Sequence, residues 1–354
     1  MLRALGVAGL LVVTVFVVGC SAVRPSGTDG SPTPKAGALI VLARGGVAHA
    51  AWSPDGSSLL VKAGDPSSLS VFDASGRLLR VLDADAATWI APKAMLVWAH
   101  SLAHEETVDG KSVPLQSPPP IEGLTNGHGA FAYPTTEAGP DAQFAVWTGQ
   151  GTTGEQRGVP IGWSSDGTRL VVWHPTGPVT GPTARGSLEI LDWPSLRIVA
   201  TAGEHLVGRG PAPVFDPSGR YVAFFSESPA ILDLTSAVVK VTGAHTASDG
   251  LAWDANGNLR YPSADGEVVA VSATGDRAGD GIAGEAVAAA ASGALVVIYT
   301  PQADTSAEML TPAGTATVVL PGPIEPLVAV APDGSAVVFA CAVNGGDELV
   351  LVRR

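Results

Sequence analysis

The chain has 354 residues, with 20 Lys and Arg against 33 Asp and Glu, and a formal net charge of −13. This acidity, with no basic cluster, argues against nucleic acid as a partner and against electrostatic attraction to anionic lipid. Two cysteines are too few for a disulfide framework or a cysteine-based metal site. Only 15% of the residues are charged, whereas 43 are Gly and 28 are Pro, which is typical of a turn-rich, all-β protein.

Residues 1–19 have the pattern of a secretory signal. Arg3 supplies a positive charge, and an apolar run over residues 10–18 ends just before Cys20. The run is shorter than a membrane-spanning helix needs. Residues 17–20, Val-Val-Gly-Cys, resemble a bacterial lipobox. That resemblance implies cleavage before Cys20 and a thioether-linked diacylglycerol on its sulfur.

The lipobox resemblance predicts a lipid anchor through Cys20, on the extracytoplasmic face of the cell membrane. An uncleaved anchor and ordinary secretion are the alternatives. Residues 20–37 would then form the lipidated Cys and a flexible tether, because Ser, Pro, Gly and Thr dominate and no apolar periodicity is present. Loss of one Arg with residues 1–19 leaves 19 basic against 33 acidic residues, a charge near −14.

Residues 52–56, Trp-Ser-Pro-Asp-Gly, recur in altered copies, each leading into an apolar run. The clearest copies begin at Trp163, Phe215, Trp253 and Val330. Asp-Gly suits a tight hairpin, because Gly adopts positive φ and Asp accepts hydrogen bonds from nearby amides. An aromatic strand end, a turn and an apolar strand at a spacing of roughly 40 residues predict a β-propeller over residues 38–354.

Eight blades are predicted from the spacing of these copies. Trp89 continues the period, and weaker copies at Leu124 and Ala289 fill the remaining gaps. Seven blades is the alternative, because these two copies are weak. We interpret the Trp residues as buried side chains that pack between blades, not as a stacking platform for sugars or bases.

The two ends of residues 38–354 are predicted to close the ring. Each blade should have four antiparallel strands. In the last blade residues 337–340 and 349–352 supply the second and third strands, and no fourth strand follows them in the sequence. Residues 38–43 form an extra strand before the first blade. Their pairing into the last blade would remove an exposed sheet edge.

The repeats resemble the WD-like β-propeller repeats of TolB-type proteins. Ser-Pro-Asp-Gly at 53–56 and Pro-Asp-Gly at 332–334 carry the resemblance. It implies an exported or lipid-anchored propeller used for binding. TolB itself has six blades and an additional N-terminal domain, so the resemblance does not transfer its role.

Three uneven segments between second and third strands are predicted to form long, adjacent loops at residues 100–106, 133–141 and 174–186. Long loops on a rigid scaffold are where function concentrates. The candidate ligand-binding residues there are His100, His104, Glu105, Glu106, Tyr133, Glu137, Asp141 and His174. We expect this surface to bind a protein or an envelope ligand.

The chain offers few signatures of catalysis. His100, His104 and the two glutamates that follow are the arrangement most like metal ligands, but no HExxH pattern accompanies them, and we predict no metal. No GxSxG motif or phosphate loop is present, and we predict no cofactor. The leading hypothesis is a lipid-anchored, non-catalytic binding or scaffold module. The alternative is an envelope hydrolase or lactonase-like enzyme at the channel mouth.

Overall fold

The computed structural model describes residues 39–64, 68–100, 102–115, 118–179, 183–208, 212–226, 228–242, 250–343 and 346–354. The predicted signal at 1–19, the lipidated Cys20 and the tether at 20–37 lie outside these residues. The secondary structure of the described part is entirely β. Within it, no helix has the length and apolar character required to cross a membrane.

Eight antiparallel sheets follow one another along the chain after β1 (Leu39–Arg44). Blade 1 comprises β2 (Val47–Trp52), β3 (Ser58–Ala63), β4 (Ser68–Asp73) and β5 (Leu78–Leu82). Blade 2 comprises β6 (Ala86–Ala91), β7 (Ala94–Ala99), β8 (Leu102–Thr107) and β9 (Ser112–Pro114). Blade 3 comprises β10 (Leu124–Thr125), β11 (Ala130–Pro134), β12 (Gln143–Thr148), β13 (Gly151–Thr152) and β14 (Gln156–Arg157). Blade 4 comprises β15 (Val159–Trp163), β16 (Arg169–Pro175), β17 (Thr183–Asp192) and β18 (Arg197–Gly208).

The second half continues the same order. Blade 5 comprises β19 (Val214–Phe215), β20 (Tyr221–Ser226), β21 (Ser228–Asp233) and β22 (Val238–Val241). Blade 6 comprises β23 (Ala252–Trp253), β24 (Leu259–Pro262), β25 (Glu267–Val271) and β26 (Ile282–Ala283). Blade 7 comprises β27 (Ala286–Ala289), β28 (Val296–Tyr299), β29 (Ser306–Thr311) and β30 (Gly314–Val319). Blade 8 comprises β31 (Ile324–Val330), β32 (Ala336–Val343), β33 (Gly346–Arg353) and β1.

The blades form a closed ring. The first strand of every blade contacts the first strand of the next, and β31 of blade 8 contacts β2 of blade 1. The eight-bladed propeller is therefore confirmed, and the seven-bladed alternative is wrong. We call the strands of a blade a to d from the centre outwards. The a–b turns lie on one face of the ring, the turn face, and the b–c connections lie on the other, the loop face.

The predicted closing strand is confirmed. β1 pairs antiparallel with β33, from Leu39 opposite Val352 to Arg44 opposite Glu348. Its side chains pack against the largest apolar cluster of the protein, and Arg44 Nε lies 3.3 Å from Glu348 Oε1. Since β1 supplies strand d of blade 8, the two ends of the described chain meet in one sheet.

The b strands form the centre of the core. Leu59, Leu60 and Val61 of β3 are at most 1% exposed, and the same continuous burial occurs in β16, β28 and β32. Both faces of a b strand are buried because adjacent blades stack face to face. The apolar runs that follow each turn in the sequence are therefore inter-blade packing surfaces.

The a–b turns repeat one geometry in seven blades. Their glycines, of which Gly56 is the first, have φ between 68° and 75°. In blade 1 the Ser53 hydroxyl donates to Asp55 Oδ1 at 2.8 Å and accepts from the Ser58 amide at 3.0 Å. Asp55 Oδ1 also accepts from the Ser57 amide at 3.1 Å. Blade 2 departs from this geometry, because its two strands are joined at Pro92 and Lys93.

The Asp55 carboxyl is stabilised as an anion by this turn. Partial burial raises its pKa, but hydrogen bonds from Ser53 and from the backbone and side chain of Ser57 outweigh burial and hold the pKa below its usual range. Asp166 in blade 4 follows the same pattern: burial raises its pKa, but hydrogen bonds from Ser164 and Thr168 outweigh burial, and the pKa lies below its usual range. The proposed self-capping role of Asp in the turns is thereby confirmed.

Candidate functional site

The predicted loop at 133–141 is present on the loop face. Tyr133 belongs to β11 and is half-buried, with its ring centroid 6.4 Å from that of Phe131. Residues 135–142 connect β11 to β12 and carry the exposed Glu137 and Asp141. Asp141 Oδ1 lies 3.3 Å from Arg157 Nη2 in an exposed ion pair. This connection is longer than those of blades 6 and 7, at residues 263–266 and 300–305.

The predicted long loop at 100–106 is wrong. β7 ends at Ala99 and β8 begins at Leu102, so the connection is a tight turn. His100 is exposed with φ 49°, and its amide donates to Asp85 Oδ2 at 2.9 Å. His104, Glu105 and Glu106 lie on β8 instead. The polar composition of residues 100–106 predicts a loop, but near the rim of a blade both faces of a strand can carry polar side chains.

Glu106 joins blades 1 and 2. It is 7% exposed, and its carboxylate forms an ion pair with Arg80 of β5. His104 Nε2 lies 2.7 Å from Glu106 Oε2, because residues two apart share a face of a strand. Glu105 points to the other face, where its carboxylate is near Gly149 of blade 3. A buried carboxylate paired in this way has a structural role between blades.

The predicted loop at 174–186 is in large part a hairpin. β16 and β17 remain paired out to Pro175 opposite Gly186, so the connection shrinks to residues 176–182, of which 180–182 lie outside the described residues. His174 belongs to β16, and its Nε2 lies 2.9 Å from Glu189 Oε2. The Gly, Pro and Thr content suggested a loop, but the backbone hydrogen bonds of the sheet continue through Gly186.

Blade 4 extends further than its neighbours. Strands β17 and β18 have 10 and 12 residues, whereas β21 and β22 of blade 5 have 6 and 4. β18 also contacts β20 of blade 5. The loop face is therefore uneven at blades 3 and 4, where a long loop lies beside the extended loop-face ends of β17 and β18.

The candidate residues do not converge. Among the described residues, no three His, Cys, Asp or Glu side chains are close enough together to hold a metal ion. His104 and His174 each have a different glutamate partner, in blades 2 and 4. The pairs are therefore separate contacts within the scaffold, and the predicted residues that remain exposed are Glu137 and Asp141 of blade 3 and His100 of blade 2.

The tryptophans tie blades together, as their interpretation as packing residues predicts. Four of them stand at the repeat position, and the indole N–H of each of these four donates to an inner-strand carbonyl of the preceding blade, at 2.9 to 3.1 Å. The pairs are Trp52 with Ala329, Trp89 with Ala51, Trp163 with Leu124 and Trp253 with Val214. Trp89 and Trp253 are buried, but Trp52 and Trp163 are only half-buried, which corrects the expectation of full burial.

The repeat position in blade 3 is Thr125, one residue after the predicted Leu124. Trp52 pairs with Leu59, the first apolar residue of its b strand, and Trp163 pairs likewise with Leu170. In blade 3 the corresponding pair is Thr125 with Phe131. Leu124 instead provides the carbonyl that accepts from Trp163. A small side chain thus occupies the place of an indole.

A cavity of about 390 Å³ lies in the channel beside Thr125. Inner strands and turns of blades 1 to 5 line it, and its walls include Trp52, Trp89, Leu124, Ile161, Trp163 and Pro213. None of the described residues that line it is charged. Sequence reasoning missed this site, and the only available signal was the recurrence of Trp at 52, 89 and 163 with a small residue between the last two.

A second cavity, of about 180 Å³, lies between blades 1 and 2 and is lined in part by His49 and Lys62. Burial lowers the pKa of His49, and the Lys62 charge lowers it further. Lys62 Nζ donates to the Asp85 carbonyl at 2.6 Å. A neutral imidazole here can accept or donate a hydrogen bond, but no acid lines the cavity beside it.

Comparison with known proteins supports the architecture. No family model and no curated protein sequence matches the chain. The C-terminal WD40 domain of Sif2 superposes with a TM-score of 0.59 and 11% identity, covering 90% of this chain and 99% of that domain. The fold is a WD40-like β-propeller. Kuenenia stuttgartiensis hydrazine synthase aligns with a TM-score of 0.47 and 16% identity, over 88% of this chain and 96% of the other.

Proposed function

We propose that this WD40-like propeller is a lipid-anchored, extracytoplasmic module that binds a protein or envelope-associated ligand without catalysis. The observation that carries the binding role is the uneven loop face. The loop at 135–142 of blade 3 is followed by blade 4, in which the loop-face ends of β17 and β18, the longest strands of the described chain at 10 and 12 residues, extend the sheet. A rigid closed scaffold presenting a long loop is suited to recognition.

The exposed acids of this loop define the chemistry of the proposed contact. Glu137 and Asp141 are exposed, and Asp141 has only an exposed ion pair to Arg157. Exposed ion pairs contribute about 0–1 kcal/mol, so a partner can replace this one at little cost. A partner surface with basic or amide groups would complement the loop and the acidic chain that carries it.

The binding role is tested by site-specific photo-crosslinking on intact membranes. A photoreactive phenylalanine at position 137 should give a discrete protein adduct. The matched control is position 265, because Asp265 is also acidic and exposed, in the b–c turn of blade 6 on the same face. Adducts from neither position, or equally from both, would contradict binding at blades 3 and 4.

The anchor is supported by the lipobox resemblance, and the 20–37 tether would place the ring within about 60 Å of the membrane. Cys20→Ser should abolish labelling with a radioactive fatty acid and release the protein from membranes. Cys341→Ala is the control, since Cys341 is buried in β32 and is the other cysteine of the chain. Continued labelling of Cys20→Ser would show that the anchor proposal is wrong.

A further inference from the structure

The channel cavity has the size and rigidity of a small-molecule site. Its volume of about 390 Å³ falls in the range of roughly 300–1,000 Å³ that is typical of ligand pockets. The rim on the turn face includes Pro54, Gly127 and Ser165. Gly127 lies close to the Pro54 ring, so the turns of blades 1 and 3 meet across the shorter turn of blade 2.

The indoles of this cavity are held in fixed orientations. Trp52 and Trp163 are half-buried, and each has its N–H bonded to a backbone carbonyl of the preceding blade. Trp163 also packs edge-on against Trp193, with ring centroids 5.9 Å apart. Because the N–H groups are used, the rings present apolar faces and edges to the cavity, with little entropy left to lose on binding.

The polar groups around the cavity are mostly satisfied within the protein. Asn126 Oδ1 accepts two backbone amides, and its Nδ2 donates to the Gly167 carbonyl at 3.1 Å. The Ser164 hydroxyl donates to Asp166 and accepts from the Arg169 amide. The cavity therefore offers few side-chain partners for a polar ligand.

Two lining residues, Ala51 and Leu124, also have their carbonyls occupied, since these accept from Trp89 and Trp163. The hydroxyls of Thr88 and Ser165 make no hydrogen bond to a described residue. A sugar would leave several hydroxyls without partners there, each costing about 1–3 kcal/mol. An apolar ring with at most one or two polar groups suffers no such penalty.

The geometry points to a binding site in the channel for an uncharged aromatic small molecule, stacked against Trp52 and Trp163 where Thr125 leaves space between the indoles. The described residues of its lining carry no charge, which selects against charged ligands, because a buried charge needs a partner. This site is separate from the loop face, so the two proposals succeed or fail independently.

The test uses the uncharged fluorophore N-phenyl-1-naphthylamine with the full chain carrying Cys20→Ser, so that no detergent is needed. Saturable binding of one equivalent, competed by 2-naphthol but not by methyl glucoside, is the expected result. Thr88→Phe, which fills the cavity from β6, should weaken binding at least about tenfold, equivalent to 1.4 kcal/mol. Thr315→Phe on the exposed strand β30 is the matched control and should leave binding unchanged.

Ser165→Phe provides a second obstruction that does not depend on the packing of β6, because Ser165 is exposed at the rim. Circular dichroism and the melting temperature establish that each variant is folded. Lack of saturable binding to the folded chain overturns the proposal. Equal binding by Thr88→Phe, Ser165→Phe and Thr315→Phe overturns it as well, as does competition by methyl glucoside in place of 2-naphthol.

Discussion

The boundary between blades 5 and 6 and the boundary between blades 6 and 7 are built in different ways. At the first, Trp253 fills the space and donates to the Val214 carbonyl at 3.1 Å, while the turn glycine Gly257 has no neighbour in the space where a Cβ would lie. At the second, the equivalent residue is Ala289, and a Cβ on the turn glycine Gly293 would lie 2.8 Å from the Asp254 carbonyl carbon.

The difference shows two ways of filling the space between adjacent blades at the repeat position. At the blade 5–6 boundary an indole fills it from the inner strand and gains a hydrogen bond, and the turns stand apart. At the blade 3–4 boundary the tie of Trp163 is combined with close turns, since a Cβ on Gly167 would lie 2.9 Å from the Asn126 carbonyl oxygen. At the blade 6–7 boundary a small residue takes the place of the indole, and the turns approach until backbone meets backbone, which only glycine permits. The blade 7–8 boundary follows the second pattern, with Val330 at the repeat position and Gly334 against Leu295.

The largest expected effect is the loss of a tying indole. Trp253→Ala should lower the free energy of unfolding by about 3–5 kcal/mol, because a 3% exposed side chain and its hydrogen bond are removed together. Val330→Ala, at the same position of a boundary without an indole, should cost about 1 kcal/mol. Urea denaturation monitored by circular dichroism measures both, and equal costs would remove the distinction between the two kinds of boundary.

The turn glycines give the next largest contrast. Gly257 and Gly293 have φ of 74° and 68°, so alanine at either position carries the same left-handed strain of about 1–2 kcal/mol. Gly293→Ala should cost about 1–3 kcal/mol more than Gly257→Ala, since its Cβ overlaps the blade 6 backbone. Urea denaturation measures both variants. Equal losses of stability would mean that the turns of blades 6 and 7 move apart to accommodate the Cβ at no cost in free energy.

A single indole hydrogen bond is a smaller contribution. Trp163→Phe keeps an aromatic ring but leaves the Leu124 carbonyl without its donor, which should cost about 0.5–1.5 kcal/mol. Trp193→Phe is the control, because Trp193 is the edge-on neighbour of Trp163 and its N–H has no described partner. If both variants lose the same stability, the contribution of Trp163 comes from the size of its ring and not from its hydrogen bond.

The architecture was accessible from the sequence because each blade repeats a local requirement. Asp55-Gly56 favours a tight turn, and the apolar run after it favours a strand that is buried on both faces. The repeat of roughly 40 residues can therefore be recognised in every blade that keeps both features. The pairing of the N-terminal strand into blade 8 could be predicted because the last blade lacks a fourth strand of its own and the first blade is preceded by an extra one. The repeat position at Thr125 was misplaced by one residue, since a cavity there removes the demand for a large side chain.

The candidate site was less accessible, because it depends on how blades meet. Polar residues of β8 were assigned to a loop, although the pairing of Ala99 with Leu102 closes the turn at once. The Gly- and Pro-rich hairpin of blade 4 pairs much further than its composition suggests. The channel cavity draws on five blades, and no local pattern shows that Trp52 and Trp163 line the same space.

The smallest expected effect is the pH dependence of stability that arises from the turn aspartates of blades 1 and 4. In both blades a Trp donates a hydrogen bond to the preceding blade. The pKa of Asp166 is lowered in the folded state, so its ionised form contributes stability that is present above the unfolded value of about 3.9 and is lost as pH falls through the folded pKa. Asp166→Asn should cost less than about 1 kcal/mol at pH 7, because the carboxyl is largely exposed. This difference from wild type should vanish once the pH has fallen below the folded pKa, because the wild-type carboxyl is then protonated.

Asp83→Asn is the control for net charge, since Asp83 is exposed and makes no hydrogen bond to a described residue. Its unfolding midpoint should follow that of the wild type from pH 7 to pH 2. Asp55→Asn, in the corresponding turn of blade 1, should repeat the behaviour of Asp166→Asn because Ser53 and Ser57 hold its carboxylate in the same way. A destabilisation of Asp166→Asn that stayed unchanged over the whole acid titration would mean that shape, not ionisation, makes Asp the preferred residue in these turns.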